Sequence, residues 1–214
     1  MTSRAVIFAN GEIAESESLR ALIRDGDMII AADGGLRHVF GLGLRPNIVV
    51  GDLDSAPNEL VQLAQASGAE IVTHPVRKDK TDLELALETA IDRGATGVVI
   101  LGALGGRLDH ALANILLLST TTASRAHVRI VDVGIELTVV DDSTTIEGGP
   151  GDAVTLLALT DTVTGITTDG LEYPLTNDTL ERGSSRGVSN VMTGEQATAS
   201  IASGLLLTVH EESR

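Results

Sequence analysis

The sequence predicts an α/β fold: an N-terminal parallel sheet flanked by helices, followed by a smaller all-β sandwich. Three observations predict it. Through the first half, short β-rich apolar runs alternate with longer helical patterns, the signature of a parallel sheet covered by helices. After about Asp132 helical periodicity fades into short Thr/Val/Leu runs broken by Gly, Asp, Asn and Pro. The chain has 214 residues, 43% of them hydrophobic, enough for one large core or two smaller ones.

The predicted strands are, in order, residues 5–10, 28–33, 47–52, 70–75, 97–102 and 128–133. Most are apolar throughout, as strands buried on both faces are. Predicted helices run from Ser18 to Asp25, Glu59 to Ala66, Asp82 to Arg93 and Leu108 to about Leu118. The third is the clearest, because Leu83, Leu87, Ala90 and Ile91 recur on one face. Thr81-Asp82-Leu83-Glu84 at its start has the form of a capping box, with Thr81 as N-cap and Glu84 three residues on. Beyond the boundary, AVTLLAL, GITTDG, LEYPL, GVSNVM, ATASIAS and LLLTVHE read as short strands of an antiparallel sandwich or small barrel. The expected division is 1–135 and 136–214, with the boundary between Asp132 and Thr145.

Composition excludes several functions. With 15 Lys+Arg against 30 Asp+Glu, the net charge of −15 works against nucleic-acid binding, which needs cations for phosphates, and an aromatic fraction of 1% leaves few faces for stacking bases. There is no cysteine, hence no disulfide framework, thiolate metal site or Cys nucleophile. No stretch approaches the roughly 18 apolar residues of a membrane span. MTSRAVIFANG runs into a strand-like segment without the features of a secretion signal. The expectation is a soluble, cytoplasmic protein with no membrane or nucleic-acid partner.

The acidic residues cluster where predicted strands end, which in a doubly wound sheet is where ligands bind. Four ends are polar: Asp33-Gly34-Gly35, Gly51-Asp52-Leu53-Asp54-Ser55, Arg77 to Asp82, and Gly102 to His110. If the strand continues through Asp52 and Asp54, their side chains share a side about 6–7 Å apart. Their repulsion, roughly 2–3 kcal/mol at an effective dielectric near 20, is relieved by a divalent cation. Oxygen ligands without Cys or clustered His favour Mg²⁺ or Mn²⁺. The structural alternative is a turn opening at Asp54-Ser55 before Pro57. Asp82 falls in the first turn of its helix, where a carboxylate favours the terminus or reaches a metal. Lys78 and Lys80 are the chain's two lysines and fall in one candidate phosphate-binding segment, with an exposed loop as the alternative. In GALGGRLDH, glycines let backbone N–H groups approach an anion at a helix start, Arg107 adds a planar donor, and Asp109 and His110 lie in the first turn. His110 is equally open to a capping or core role. Neither a dinucleotide fingerprint nor a P-loop is present. Gly183-Ser184-Ser185-Arg186-Gly187 fits G-x-S-x-G but lacks the preceding buried strand and following helix of a nucleophile elbow.

Taken in order, AADGG, P-x-x-V-V-GDLDS, KDKTDLELAL, GALGGRLDHALANI and the late GLEYPL with GVSN resemble the thiamine pyrophosphokinase family, over about Ala31 to Leu207. The resemblance implies an N-terminal nucleotide- and metal-binding domain and a C-terminal β-sandwich supplying the thiamine site. It also implies a homodimer with active sites between subunits. The implied reaction transfers the diphosphate of ATP to the hydroxyl of thiamine, releasing AMP, with Mg²⁺ as cofactor. By the same resemblance Asp52, Asp54 and Asp82 are Mg²⁺ ligands. Asp79, Thr81, Arg107, Asp109 and His110 match the nucleotide and diphosphate site, with Asp33 and Gly34 near the nucleotide; Lys78, in the candidate phosphate-binding segment, is expected beside them. Ser189, Asn190 and Tyr173 belong to the thiamine site. One departure is Val191, where many members carry an acidic residue. Asp54 or Asp82 is the candidate general base. Two other readings stand beside this one: a Mg²⁺-dependent nucleotide-sugar glycosyltransferase using Asp52-Leu53-Asp54, and a non-catalytic nucleotide or thiamine sensor.

Overall fold

The computed structural model describes residues 3–13, 17–120 and 122–213. It divides between Val133 and Gly134 into two compact units.

The first unit carries six strands, β1 (Ser3–Phe8), β2 (Met28–Ala32), β3 (Ile48–Gly51), β4 (Glu70–Thr73), β5 (Ala95–Leu101) and β6 (His127–Asp132). They pair in the order β6-β5-β1-β2-β3-β4, every pair parallel. Each corresponds to a predicted strand, but for β1, β2 and β3 the terminal Asn or Asp that the sequence reading included lies outside it. Asn10, Asp33 and Asp52 sit past the ladder, free to face a ligand. The helices are α1 (Glu17–Ala21), α2 (Leu36–Gly41), α3 (Asn58–Ala66), α4 (Asp82–Asp92) and α5 (Leu108–Leu117). α1 is shorter than predicted. α2, with the 3-10 turn at Asp33–Gly35 before it, was not predicted at all: two glycines and six following residues carry too little periodicity to read as helix.

Alternation along the strands splits the core. Val6, Phe8, Ala31, Val49, Val99 and Leu101 pack with Leu19 of α1, Leu36 and Val39 of α2 and Ala64 of α3. α4 packs on β1, β2, β3 and β5, burying Leu83, Leu85, Ala86, Leu87, Ala90 and Ile91. In this strand order the chain turns outward from β1 through β4, then returns to place β5 on β1's other side. The switch point therefore lies between the carboxyl ends of β1 and β5, where open α/β sheets bind ligands.

The second unit comprises β7 (Ile135–Val140), β8 (Ser143–Glu147), β9 (Ala153–Ala158), β10 (Thr162–Asp169), β11 (Asp178–Glu181), β12 (Asn190–Val191), β13 (Gln196–Ser200) and β14 (Leu206–Glu211). Two antiparallel sets, β12-β9-β14-β7 and β11-β10-β13-β8, both contribute to one core that includes Val140, Ile146, Leu156, Ile166, Met192, Ala197 and Leu206. This is the predicted sandwich. The segment around Tyr173 departs from its strand reading, making only the isolated bridge Leu171↔Met192.

Candidate active site

Three carboxylates converge at the carboxyl ends of β2 and β3. Ligand atoms of Asp33, Asp52 and Asp82 all lie within 4.8 Å of one another. Asp33 leaves β2 with a φ of 46°, a left-handed backbone that Asp tolerates better than most residues, and opens the 3-10 turn. Asp52 follows β3 directly. Asp82 is the first residue of α4, held there because Thr81 Oγ1 accepts the Glu84 N–H at 3.2 Å, the predicted N-cap. Gly51 makes the convergence feasible. At φ 146°, it brings the chain so close that a Cβ there would sit 3.1 Å from both Asp33 Cβ and Asp82 Oδ1.

The predicted grouping of Asp52 with Asp54 depended on the strand continuing through both. It stops at Gly51, and Leu53 takes a φ of 64° with its side chain packed against the core, so the alternation is broken. Asp54 is exposed; its N–H donates to Asp52 Oδ1 at 3.2 Å and its carboxylate accepts the Ser55 hydroxyl at 3.0 Å. The turn reading of Asp54-Ser55 thus describes the local geometry, and Asp33 is the third member of the cluster.

Lys78 is the cluster's cation. Its Nζ donates to Asp52 Oδ2 at 2.8 Å and lies 2.8 Å from Asp82 Oδ1, there outside hydrogen-bond angles. Burial pulls the Lys78 ammonium down, but its contacts to Asp52 and Asp82 outweigh that and hold it above the usual lysine value. The hydrogen bond from Lys78 holds Asp52 below the usual carboxylate range. Asp33 behaves oppositely. Burial pushes its carboxyl up, with the charges of Asp82 and Asp54 adding, against the Gly34 N–H and Ser55 hydroxyl. Its Oδ1 is buried without a hydrogen-bond partner.

A hard divalent cation fits this set. All donors are carboxylate oxygens, three charges converge against one ammonium, and two buried oxygens, Asp33 Oδ1 and Asp82 Oδ1, have no hydrogen-bond partner.

Beside the cluster, at the switch point, Ala9 N–H bonds to Leu101 C=O at 2.8 Å and Gly11 N–H to Gly102 C=O at 2.9 Å. Gly34 packs on the Asn10 side chain so tightly that a Cβ would lie 2.2 Å from Asn10 Oδ1. Sequence reasoning missed Asn10 and Gly11, and also His38, whose buried ring lies 2.8 Å from Gly11 C=O. The only signal was a small polar step, Asn-Gly, after an apolar strand. Arg107 and Asp109 form an exposed bidentate pair before and within the first turn of α5, at 3.1 and 2.5 Å. Arg107 draws the Asp109 carboxyl down to about 2. His110 is exposed on the same turn, which removes its core reading. Asp79 is exposed in the loop before α4, and Lys80 is paired with Glu88.

In the second unit Asn190 is buried and acts as a bracket. Its Oδ1 accepts the Tyr173 N–H at 3.0 Å and the Val191 N–H at 2.9 Å, and its Nδ2 donates to Tyr173 C=O at 2.8 Å. Asn190 thereby places the exposed Tyr173, while Ser189, exposed beside it at φ 60°, is tied through its N–H to Thr155 Oγ1 at 3.1 Å. A buried pair went unnoticed in the sequence: Asp152 accepts from Gly149 and Ser213 N–H groups at 2.7 and 2.8 Å and meets His210 Nε2 at 3.0 Å. Gly183 to Gly187 is turn between β11 and β12, with no helix after it, so the nucleophile-elbow reading fails here too.

Two family descriptions match the chain: thiamin pyrophosphokinase, catalytic domain, over residues 19–130, and thiamin pyrophosphokinase, vitamin B1 binding domain, over residues 143–206. Thiamine pyrophosphokinase of Bacillus subtilis is 27% identical over 84% of this chain and 85% of its own. Thiamine pyrophosphokinase 1 of Oryza sativa subsp. japonica is 28% identical over 84% and 77%. The crystal structure of thiamin pyrophosphokinase from Geobacillus thermodenitrificans superposes with a TM-score of 0.83 at 31% identity, covering 98% of each chain. The B. subtilis structure matches in fold, at TM-score 0.87 and 24% identity over 99% of this chain and 100% of its own. These matches lend nothing to the glycosyl-transfer or sensor readings. With the catalytic-domain match alone spanning more than half of its residues, the chain belongs to the thiamin pyrophosphokinase family.

Proposed function

We propose that this chain transfers the diphosphate of ATP to the hydroxyl of thiamine, giving thiamine diphosphate and AMP, with Mg²⁺ held by Asp33, Asp52 and Asp82. The observation that carries the reading is the convergence of these three carboxylates, with Lys78, at the strand ends beside the switch point. Bound Mg²⁺ would neutralise charge on the phosphate oxygens.

The protein's own part is positioning and charge. The polyphosphate would lie along the loop from Gly102 to Gly106: the missing Cβ atoms of Gly11, Gly102 and Gly105 let this loop pack closely on the segment after β1, and Gly106 leaves open space beside it. Lys78 and Arg107 would reach its oxygens as point charge and planar fork respectively. Asp79, Thr81, Asp109 and His110 border the same segments, and Asp33 and Gly34 lie on the nucleotide side. Attack by the alcohol requires loss of its proton. Asp54 suits that task better than Asp82, being exposed and outside the three-carboxylate cluster.

For thiamine, Ser189 and Tyr173 are the exposed polar and aromatic groups, and Asn190 serves by holding Tyr173 in place. Tyr173 is the only aromatic of the second unit, so aliphatic groups would supply most of the ring contacts. The homodimer reading is supported by Leu108, Leu112 and Leu116, which form an exposed stripe at i, i+4, i+8 on α5. A chain without cysteine is compatible with the cytoplasmic reading, and no helix among the described residues is long and apolar enough to cross a membrane.

The test is product analysis with ATP, Mg²⁺ and thiamine. AMP and thiamine diphosphate should appear in equal amounts, and stoichiometric ADP would refute the diphosphate transfer.

A further inference from the structure

We propose that Lys78 is an internal stand-in for the divalent cation: its ammonium occupies the carboxylate cluster of the metal-free enzyme, and a metal ion binds by displacing it. The inference deepens the function proposed above and rests on that reading for the purpose of the metal.

The Lys78 Nζ lies 2.8 Å from both Asp52 Oδ2 and Asp82 Oδ1, two of the three converging carboxylates. A metal coordinated by Asp52 and Asp82 needs the space and the oxygens that this ammonium takes. Lys78 is also an incomplete substitute. It brings one positive charge to three carboxylates and leaves Asp33 Oδ1 buried and unpartnered. A doubly charged ion reaching all three is the better occupant, so the cluster is both held together and kept receptive.

The loop permits the exchange. Among the described residues, no backbone N–H of Val76 to Lys80 donates to a backbone carbonyl, and Val76, Arg77, Asp79 and Lys80 are exposed. Lys78, whose side chain is 14% exposed, can therefore move with its loop without breaking a backbone ladder. Once displaced, its charge is free for phosphate oxygens, which reward the movement that the metal requires. Metal and nucleotide should then bind synergistically, each easing the other's entry through the same side chain.

The chain's two lysines make the test direct. Mn²⁺ binding, followed by the electron paramagnetic resonance of the free ion, is measured with and without a non-hydrolysable ATP analogue. Lys78→Gln should bind Mn²⁺ alone on the order of tenfold more tightly than the wild type, the scale of losing a charge-assisted contact. Enhancement by the nucleotide analogue should shrink by a similar factor. Lys80→Gln removes the same charge two residues away and should stay within about twofold of the wild type. Equal or weaker binding by Lys78→Gln, or equal tightening in Lys80→Gln, overturns displacement in favour of a positioning lysine or a general field effect. The wild type supplies an independent reading. Saturating Mg²⁺ should raise the acylation rate of Lys78 severalfold, mapped by mass spectrometry, and leave Lys80 unchanged; an unchanged Lys78 rate overturns the proposal. None of these readouts uses thiamine or AMP, so failure of diphosphate transfer and failure of the lysine exchange are separately visible.

Discussion

Asp33 is a buried carboxylate held beside two others, with one oxygen unpartnered. Its raised pKa means that the native state holds a proton more tightly than the unfolded chain does. Its contribution to stability is therefore fully present below the ordinary value of 3.8 and is lost as pH rises through the folded value. At neutral pH the carboxyl is therefore a net cost. Asp33→Asn should accordingly raise the melting temperature of the metal-free protein at neutral pH, by the equivalent of about 1–3 kcal/mol, while weakening Mn²⁺ binding at least about tenfold. A melt in chelator and a metal titration of one preparation check both signs, and a fall in both would make Asp33 structural. Sequence made the cluster only partly legible. Asp52 and Asp82 were readable from strand-end and helix-start positions, but membership of Asp33 over Asp54 is decided by the positive φ values of Asp33 and Leu53, which no residue pattern announces.

At the scale of elements, regular periodicity was legible and irregular backbone was not. Most of the six parallel strands were visible because strands buried on both faces are apolar throughout; β4, exposed at both ends, was visible from its short β-branched run instead. α4 was visible because its face and its cap agree. α2 was missed because six residues after two glycines form a helix only through the burial of Leu36, His38 and Val39. The cap of α4 positions Asp82, so Thr81→Ala should cost about 1 kcal/mol in denaturant melts and loosen metal binding more than that cost alone would explain. In the sandwich, Asp152 ties the turn before β9 to β14 and the C-terminal segment. Two N–H groups and His210 hold its carboxyl far below the usual range. That contribution is present above the ordinary value of 3.8 and is lost as pH falls through the folded value. Asp152→Asn should therefore lower stability at neutral pH by about 1.5–3 kcal/mol, as for losing hydrogen bonds to a charged acceptor, with a difference from wild type that narrows in acid. A difference constant across the acid range would show that the carboxylate's charge plays no part.

For the whole molecule, a net charge of −15 opposes compaction, and any salt should relieve part of that self-repulsion. Screening and site binding have different signatures. Screening depends on ionic strength and acts on the whole surface, whereas a divalent ion in the Asp33, Asp52 and Asp82 cluster favours only the state that assembles it, by an amount that grows with the logarithm of its concentration. Mg²⁺ should therefore raise the melting temperature above that in NaCl of equal ionic strength, the excess reaching about 2.7 kcal/mol at about a hundredfold excess over the dissociation constant and growing by about 1.4 kcal/mol for each further tenfold. For a chain of this size, each kcal/mol corresponds to roughly 2–4 °C. Asp52→Asn should erase most of that excess and leave the response to NaCl intact. If the two units melt in separable steps, the excess should fall on the step of the first unit, which holds all three carboxylates. An Mg²⁺ effect no greater than that of NaCl, or one that survives Asp52→Asn undiminished, would reassign these acids from a cation site to general surface charge.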